Sequence, residues 1–291
     1  FFSRTLLLRG WLVVPLVVTR TTALMLRECC CKYGEDKSEL VFKGIHQLAT
    51  AEAQPQVFHD RPPYEFPNGA VYSGQWDHLG RRSGKGRQVW PDGVSYEGQW
   101  VSDEATGFGR FVHFNGDVYE GLWLRDKAHG EGTYVHSTGS TYSGEWAYDR
   151  QNGQGKEEWL DGSSYRGSYK DGKKNGEGRF TWPDGSIYMG TFRDNDMHGE
   201  GSYDWFDGRM YRGQWQANRM HGHGKFIWPD GRSYEGQYLN DQKHGTGIFR
   251  WPDGRQYEGQ WEAGKQHGPG CSKAVDGSKT QSNWVKGQRV E

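Results

Sequence analysis

The chain has 291 residues and a formal net charge of −1, so its overall charge gives no general attraction to nucleic acid or to an anionic membrane. Only 33% of the residues are hydrophobic, a value typical of disorder, but 15% are aromatic and 44 are glycines. This composition favours short strands and tight turns whose buried surface is supplied by rings.

The amino-terminal segment, residues 1–27, is basic and contains no acidic residue before Glu28, and its first methionine is Met25. Its apolar run, Trp11–Val18, is much shorter than the roughly 20 residues that a membrane-spanning helix needs. Two interpretations stay open for this segment. It is either a signal-like or transit-like targeting leader, or a leader that is disordered or untranslated.

The cysteines do not predict a disulfide framework. There are four in the chain: Cys29, Cys30, Cys31 and Cys271. Three adjacent cysteines lack the spacing of a disulfide scaffold or of a zinc site. If the chain started at Met25, Cys29, Cys30 and Cys31 would form a candidate S-acylation site near the terminus, and the alternative is that they are free thiols.

Residues 28–63 are predicted to form an amino-terminal extension. Within it, Ser38–Ala53 is predicted to be a helix, because apolar residues follow Val41 at i+4 and i+7. Gln54–Pro63 contains three prolines and is predicted to be a linker. We expect the extension to cover the first edge of the structure that follows it.

From residue 64 to residue 291 the sequence is an internal repeat. Its anchor is aromatic-x-Gly-x-aromatic, which recurs 24 residues after Tyr72 and then every 23 residues as far as Tyr257. A tenth unit in the same register keeps only Trp284 of this pattern, as a capping repeat would. The anchors begin at Tyr72, Tyr96, Tyr119, Tyr142, Tyr165, Tyr188, Tyr211, Tyr234 and Tyr257.

Two further elements share the period. A Gly-x-Gly pair follows each anchor tyrosine, and the first pair comes one residue late, which places one extra residue in the loop Asp77–Ser83. A turn precedes the tyrosine, as in Trp90-Pro91-Asp92-Gly93. Asp-Gly between aromatic-rich segments is a strong hairpin signal, because glycine adopts the positive φ that the turn requires.

This pattern resembles the MORN repeat (membrane occupation and recognition nexus) over Phe66–Trp284, about three quarters of the chain. The predicted fold class is all-β, an elongated single-layer antiparallel meander of about ten hairpins, with a short amino-terminal helical or irregular extension. At two strands per repeat the array would be a rod on the order of 90–100 Å long.

Each hairpin is predicted to have one aromatic face and one polar face. Side chains alternate along a strand, so Tyr96, Gly98 and Trp100 share one face while Glu97 and Gln99 lie on the other. The aromatic face is predicted to form a trough that binds a partner. Its predicted anchors are Tyr96, Trp100, Tyr119, Trp123, Tyr142, Trp146, Tyr165, Tyr188, Tyr211, Trp215, Tyr234, Tyr257 and Trp261.

Catalytic, metal and cofactor sites are not predicted. Five histidines precede Gly-x-Gly pairs, but a rise of about 9–10 Å per repeat separates them too far to share a metal, so we interpret them as loop residues. The aspartates of the Asp-Gly turns recur singly and are assigned to turn chemistry. The histidines are His129, His198, His221, His244 and His267, and the aspartates are Asp161, Asp184, Asp207, Asp230, Asp253 and Asp276.

The function that these features predict is a non-catalytic protein–protein scaffold. Free-standing MORN proteins include radial-spoke head proteins of cilia and cytoskeletal organisers, so the resemblance implies an axonemal or other cytoskeletal assembly in the cytoplasm. Partners would be other proteins and a second copy of the chain, not nucleic acid. Two alternatives are a membrane- or phosphoinositide-associated tether and, if the leader is a transit peptide, an accessory subunit of an organellar complex.

Overall fold

The computed structural model describes residues 57–290, and these form strands and turns in one sheet of 22 strands. The predicted helix Ser38–Ala53, the leader and the cysteines Cys29–Cys31 lie outside the described residues. The strands are β1 His59–Asp60, β2 Tyr64–Glu65, β3 Val71–Trp76, β4 Arg82–Val89, β5 Ser95–Val101, β6 Glu104–Val112, β7 Val118–Leu124, β8 Lys127–Val135, β9 Thr141–Ala147, β10 Arg150–Glu158, β11 Ser164–Lys170, β12 Lys173–Thr181, β13 Ile187–Arg193, β14 Asp196–Asp204, β15 Met210–Gln216, β16 Arg219–Ile227, β17 Ser233–Leu239, β18 Gln242–Arg250, β19 Gln256–Glu262, β20 Lys265–Lys273, β21 Lys279–Val285 and β22 Gln288–Arg289.

The sheet is an antiparallel meander, which confirms the predicted fold class. From β3 to β22 each strand pairs with the next strand along the chain. The other edge of β3 is covered in two pieces, by β1 opposite Gln75–Trp76 and by β2 opposite Val71–Tyr72. Strand β1 therefore lies within the stretch that the prolines predicted to be a linker.

Two kinds of turn alternate along the meander. At Trp90–Val94 the predicted Asp-Gly turn is closed by a hydrogen bond from Gly93 N–H to Trp90 O (3.0 Å), and Gly93 has a φ of 84°. The other turn has only two residues, such as Ser102-Asp103, both with positive φ (52° and 74°), as a type I′ hairpin requires. The first turn of this second kind, between β3 and β4, is longer, as the one-residue offset predicted.

The two-residue turns also connect neighbouring hairpins. The Asp103 carboxylate accepts a hydrogen bond from Arg82 N–H of the preceding hairpin (2.9 Å). The same bond is made by an aspartate or asparagine in five other repeats, through Asp126, Asp149, Asn195, Asn218 and Asp241. Short polar side chains suit this position because they tolerate the left-handed conformation.

The anchor tyrosine lies flat on a bed of two glycines. A Cβ placed on Gly109 would lie 2.3 Å from Tyr96 Oη, so no other residue fits beneath the ring. The Tyr96 hydroxyl donates to Gln99 O (3.0 Å), and the side chain is 2% exposed. This contact explains why the repeat carries Tyr-x-Gly on one strand and the second glycine of Gly-x-Gly on the next.

The anchor tryptophan connects two repeats. The Trp100 ring meets Tyr96 edge to face at 5.0 Å and Tyr72 of the preceding repeat at 5.5 Å. Its indole N–H donates to Gly86 O on strand β4 (3.1 Å). Aromatic pairs of this kind contribute about 0.5–1.5 kcal/mol each beyond the area they bury, so the array is stabilised across its repeat boundaries.

The polar side of each hairpin contains a β-bulge, and in four repeats a glutamine side chain accepts a backbone hydrogen bond there, at Gln75, Gln99, Gln214 and Gln237. Between Gly98 and Trp100 the pairing register shifts, and the Gln99 amide oxygen accepts the hydrogen bond of Phe108 N–H (2.9 Å). Without this acceptor the bulge would leave a backbone donor without a protein partner.

The two ends of the array are capped differently. At the start, Tyr64 of β2 packs edge to face on Trp76 at 5.8 Å and takes the place of a preceding repeat. At the end, the degenerate tenth unit is present as predicted: β21 pairs with β20, and Trp284 packs on Tyr257 at 5.6 Å.

Candidate functional site: the aromatic face and its rim

The rings predicted to be partner-binding anchors form the core of the sheet. All of them are 6% exposed or less except Trp123, which is half-buried. The burial of the tyrosines follows from the glycine bed, which lets each tyrosine ring lie against the backbone, whereas a tryptophan such as Trp100 is buried between the tyrosines of two repeats. Direct contact between these rings and a partner stays a prediction, and most of the accessible surface of this face belongs to other residues.

A second set of rings runs beside the buried set, which we call the aromatic ladder. Its rings stack in a tilted series, for example Trp182 on Tyr203 at 4.8 Å and Tyr203 on Trp205 at 4.3 Å. Most of these rings are half-buried, and Phe226 and Phe249 are buried. The ladder consists of Trp159, Phe180, Trp182, Tyr203, Trp205, Phe226, Trp228, Phe249 and Trp251.

An exposed apolar rim borders the ladder at the tips of the Asp-Gly turns. Phe114, Leu160, Phe206 and Val275 are 73%, 76%, 69% and 68% exposed. Five other turns carry an exposed proline at this position: Pro67, Pro91, Pro183, Pro229 and Pro252. Nine of the ten turns of this kind in residues 57–290 therefore present an apolar residue, and Ser137 is the exception.

Arginines at the rim are neutralised by aspartates of the same turn. Arg232 forms an ion pair with Asp230 (2.7 Å) and lies over the Trp228 ring at 5.7 Å. Arg209 and Arg255 do the same in their turns. The backbone N–H and the guanidinium of Arg255 lower the pKa of the Asp253 carboxyl. The rim is therefore apolar and close to neutral.

Two lysines lie among the rings of the aromatic face. Lys243 Nζ is 4.3 Å from the Trp261 ring centroid and 4.9 Å from that of Phe249. Burial, helped by the charge of Arg232, lowers the pKa of Lys243 to about 8. Lys174, at the equivalent place three repeats earlier, instead forms an ion pair with Glu157 (3.3 Å).

The histidines lie three residues into their strands and not in loops, because the preceding turn has only two residues. His198 and His221 line a surface depression of about 230 Å³. Among residues 57–290 no group of three or more histidine, cysteine, aspartate or glutamate side chains is arranged to hold a metal ion.

The turn aspartates act as predicted. The Asp184 carboxylate accepts the hydrogen bond of Ser186 N–H (2.8 Å), and the same contact occurs at Asp161, Asp207, Asp230, Asp253 and Asp276. Cys271 is a half-buried free thiol on β20. No helix within residues 57–290 is long and apolar enough to cross a membrane.

The solved structures that match this chain share little sequence with it and overlap with it only loosely. The TCP10 domain of CPAP from Danio rerio, in complex with a STIL peptide, has a TM-score of 0.39 and 14% identity, covering 77% of this chain and 99% of that one. The SAS-4 TCP domain of Drosophila melanogaster, in complex with a proline-rich motif of Ana2, has a TM-score of 0.34 and 14% identity, covering 64% and 97%. A streptogramin B lyase has a TM-score of 0.16 and 11% identity, covering 78% and 84%. At these scores no property of those proteins transfers to this chain.

The sequence itself matches a known repeat. A search of curated proteins finds no match. The MORN repeat matches residues 72–95, 96–118, 119–141, 142–164, 165–187, 188–208, 211–231, 234–254 and 257–279, which are nine consecutive hairpins of the sheet. The chain therefore belongs to the MORN-repeat family.

Proposed function

We propose that the array is a non-catalytic scaffold that binds segments of other proteins along the aromatic ladder and its apolar rim. The observation that carries this proposal is the continuity of that surface. Rings stack from Trp159 to Trp251 without a break, most of them half-buried, beside a row of exposed apolar turn residues.

The dimensions of this surface suit an extended or helical peptide. The ladder spans four repeats, or roughly 40 Å at 9–10 Å per repeat. Half-exposed tryptophan and tyrosine are the residues that dominate the energy of protein interfaces. The buried anchors Tyr188, Tyr211 and Tyr234 lie in the same sheet beside the ladder and hold it rigid, so a partner would not have to order it on binding.

The assembly that contains the scaffold is proposed from the family resemblance. An axonemal, radial-spoke-like or other cytoskeletal structure in the cytoplasm is our preferred setting, and an organellar complex is the alternative. A second copy of the chain is also a candidate partner, through the outer edge of β21, which β22 covers only at Trp284 and Val285.

Attachment to a membrane is the second candidate, and the apolar rim is the observation that favours it. Exposed Phe114, Leu160 and Phe206 resemble the interfacial residues of peripheral proteins. Binding to anionic lipids also requires uncompensated basic residues, whereas the rim arginines are paired with aspartates. The scaffold is therefore the better supported function.

The test is affinity purification of the tagged chain from its own cells, comparing the wild type with Trp182→His, Trp205→His and Trp228→His combined. Histidine occupies the same position in two other repeats, at His113 and His136, so the array should still fold. We expect the triple variant to lose protein partners that the wild type retains. If the wild type and the triple variant recovered the same partners in equal amounts, the ladder would not be part of the binding surface.

The matched control is Met189→Arg, which changes an exposed side chain on the opposite face (52% exposed) and should retain the same partners. Recovery of axonemal or cytoskeletal proteins would support the proposed setting. Flotation of the wild type with anionic vesicles, without protein partners, would favour the membrane function. Loss of membrane association on changing Cys29–Cys31 to serine would locate that function in the amino-terminal segment.

A further inference from the structure

The face of the sheet opposite the rings carries an apolar patch in its early repeats. Phe108 is 53% exposed, Leu122 is 39% exposed and Val135 is 38% exposed. Phe108 lies opposite Leu122 across β6 and β7, and Val118 lies between Val112 and Val135 on adjacent strands. We call Phe108, Val112, Val118, Leu122 and Val135 the outer patch. Three of its members line a depression of about 520 Å³: Phe108, Val118 and Val135.

The outer patch departs from the rules of the repeat. The residue equivalent to Leu122 is a glutamine in five other repeats. One of these is Gln99, whose side chain accepts the bulge hydrogen bond of the repeat that begins at Tyr96. Leucine has no acceptor, so the same bulge between β7 and β8 lacks this bond. Position 108 is lysine in the first repeat, at Lys85. Two apolar residues thus replace polar ones on an exposed surface, and one replacement removes a structural contact, which is a pattern expected at functional sites.

Uncompensated negative charge lies beside the outer patch. Glu131 and Glu145 are directly opposite each other on β8 and β9, an arrangement that destabilises a sheet when both are ionised. The Glu145 carboxylate accepts a hydrogen bond from Gln154 N–H (2.7 Å), whereas Glu131 forms no ion pair with any residue in the described range 57–290. Glu120, which also lines the depression, is 3.8 Å from Arg110.

We propose that the outer patch docks an amphipathic helical segment of another protein, with basic residues flanking its apolar stripe. The patch and its acidic border extend over four strands, roughly 15 Å, which fits a helix of about 10–12 Å diameter and is wide for a single added strand. The apolar stripe of the helix covers Phe108, Leu122 and Val118, and a lysine or arginine meets Glu131 and Glu145. This site is independent of the aromatic ladder, because it lies on the opposite face.

The test uses two fluorescein-labelled peptides of about five helical turns each: an amphipathic leucine–lysine helix and its leucine–glutamate counterpart. Fluorescence anisotropy at about 0.15 M salt measures their affinities for the full chain. We expect the lysine peptide to bind at least about tenfold more tightly than the glutamate peptide, because only the former matches the acidic border.

The variant Phe108→Lys with Leu122→Gln tests the location. Both new residues occur at these positions in other repeats of the chain, so the fold should be retained, and the glutamine should restore the bulge hydrogen bond. We expect this variant to bind the lysine peptide about tenfold more weakly, as loss of a central apolar contact does. The control Met189→Arg removes an equally exposed apolar residue from the same face outside the patch, and should leave the affinity unchanged.

Three outcomes would overturn the proposal. The first is that the lysine peptide does not bind at concentrations up to about 1 mM, which is already a weak affinity for a specific site. The others are equal affinity for the two peptides and equal affinity of the wild type and the double variant for the lysine peptide. Circular dichroism of each variant establishes that a loss of binding is not a loss of fold. Because the ladder tryptophans are untouched by these changes, failure here leaves the proposed scaffold function unaffected.

Discussion

The glycine bed beneath each anchor tyrosine can be tested at Gly109. Its φ lies outside the left-handed region, so an alanine at this position is acceptable to the backbone, and the nearest obstacle is the Tyr96 ring. The added Cβ would lie 2.3 Å from Tyr96 Oη and 2.6 Å from Cε2. The ring is 2% exposed and must move, which costs about 1–3 kcal/mol in overpacking. Loss of the Tyr96 hydrogen bond to Gln99 O adds about 1 kcal/mol.

The expected result for Gly109→Ala is therefore a fall of about 2–4 kcal/mol in the free energy of unfolding. The measurement is urea unfolding followed by tryptophan fluorescence, with hydrogen exchange to locate the change, because repeat arrays need not unfold in one step. The control is Gly93→Ala, at a turn where an added Cβ has no neighbour within 4 Å. Its φ of 84° makes the cost one of backbone strain alone, about 1–2 kcal/mol.

The cost of the contact between the added Cβ and the Tyr96 ring can be isolated by making Gly109→Ala in a second protein, the Tyr96→Leu variant. In a Tyr96→Leu variant the ring that Gly109 accommodates is absent, so Gly109→Ala should cost less than about 1 kcal/mol there, since interacting changes are not additive. The steric explanation would be refuted if Gly109→Ala cost no more than Gly93→Ala, or if its cost were the same with and without the Tyr96 ring.

Three further predictions follow from the contacts of single residues. Replacing Gln99 by leucine removes the acceptor of the Phe108 N–H hydrogen bond at the bulge. Urea titration should show a free energy of unfolding that is lower by about 1 kcal/mol. An unchanged unfolding midpoint would mean that water satisfies this donor. The pKa of Lys243 in the folded chain is lowered to about 8, so the unfolded chain binds more protons above that pH. The free energy of unfolding of the wild type should therefore rise towards pH 10 relative to that of Lys243→Met. The same dependence of stability on pH in both proteins would contradict this. Burial raises the pKa of the anchor tyrosines, that of Tyr72 to about 12, so ionisation favours the unfolded chain above pH 10. Phenolate absorbance should appear together with loss of the β-sheet circular dichroism signal, and ionisation of most tyrosines in a folded sheet would contradict this.

The period of the sequence was sufficient to predict the meander, one hairpin per repeat and the Asp-Gly turns. It predicted which side chains share a face but not how deep they lie. Alternation places Tyr96 and Trp100 together, whereas the burial of Tyr96 depends on Gly109 of the next strand, which allows the ring to lie against the backbone. Ladder rings such as Trp205 are less deeply buried than the anchors. They recur with the same period, so the sequence pattern alone did not distinguish them from the anchors.

Other contacts were present in the sequence as weaker regularities. Glutamine recurs three residues after most anchor tyrosines, and aspartate or asparagine recurs seven residues after, but neither has an obvious role until the bulge at Gln99 and the turn at Asp103 are seen. Strand β1 was not predicted because the capping segment does not follow the period. The outer patch was not predicted because averaging over repeats makes that face polar.

A repeat array distinguishes structural residues from functional ones by comparison with itself. Tyr96 and Gly109 make a contact that recurs in every full repeat, and the Gln99 contact recurs at Gln75, Gln214 and Gln237, so stability explains these residues. Leu122 cannot accept such a hydrogen bond and exposes an apolar side chain, so stability does not explain its presence. Within residues 57–290 the sheet is a single layer, so no other element of this range covers either face. In this part of the chain the ladder on one face and the outer patch on the other are therefore both accessible, and the two proposed sites would hold two partners on opposite sides of one sheet.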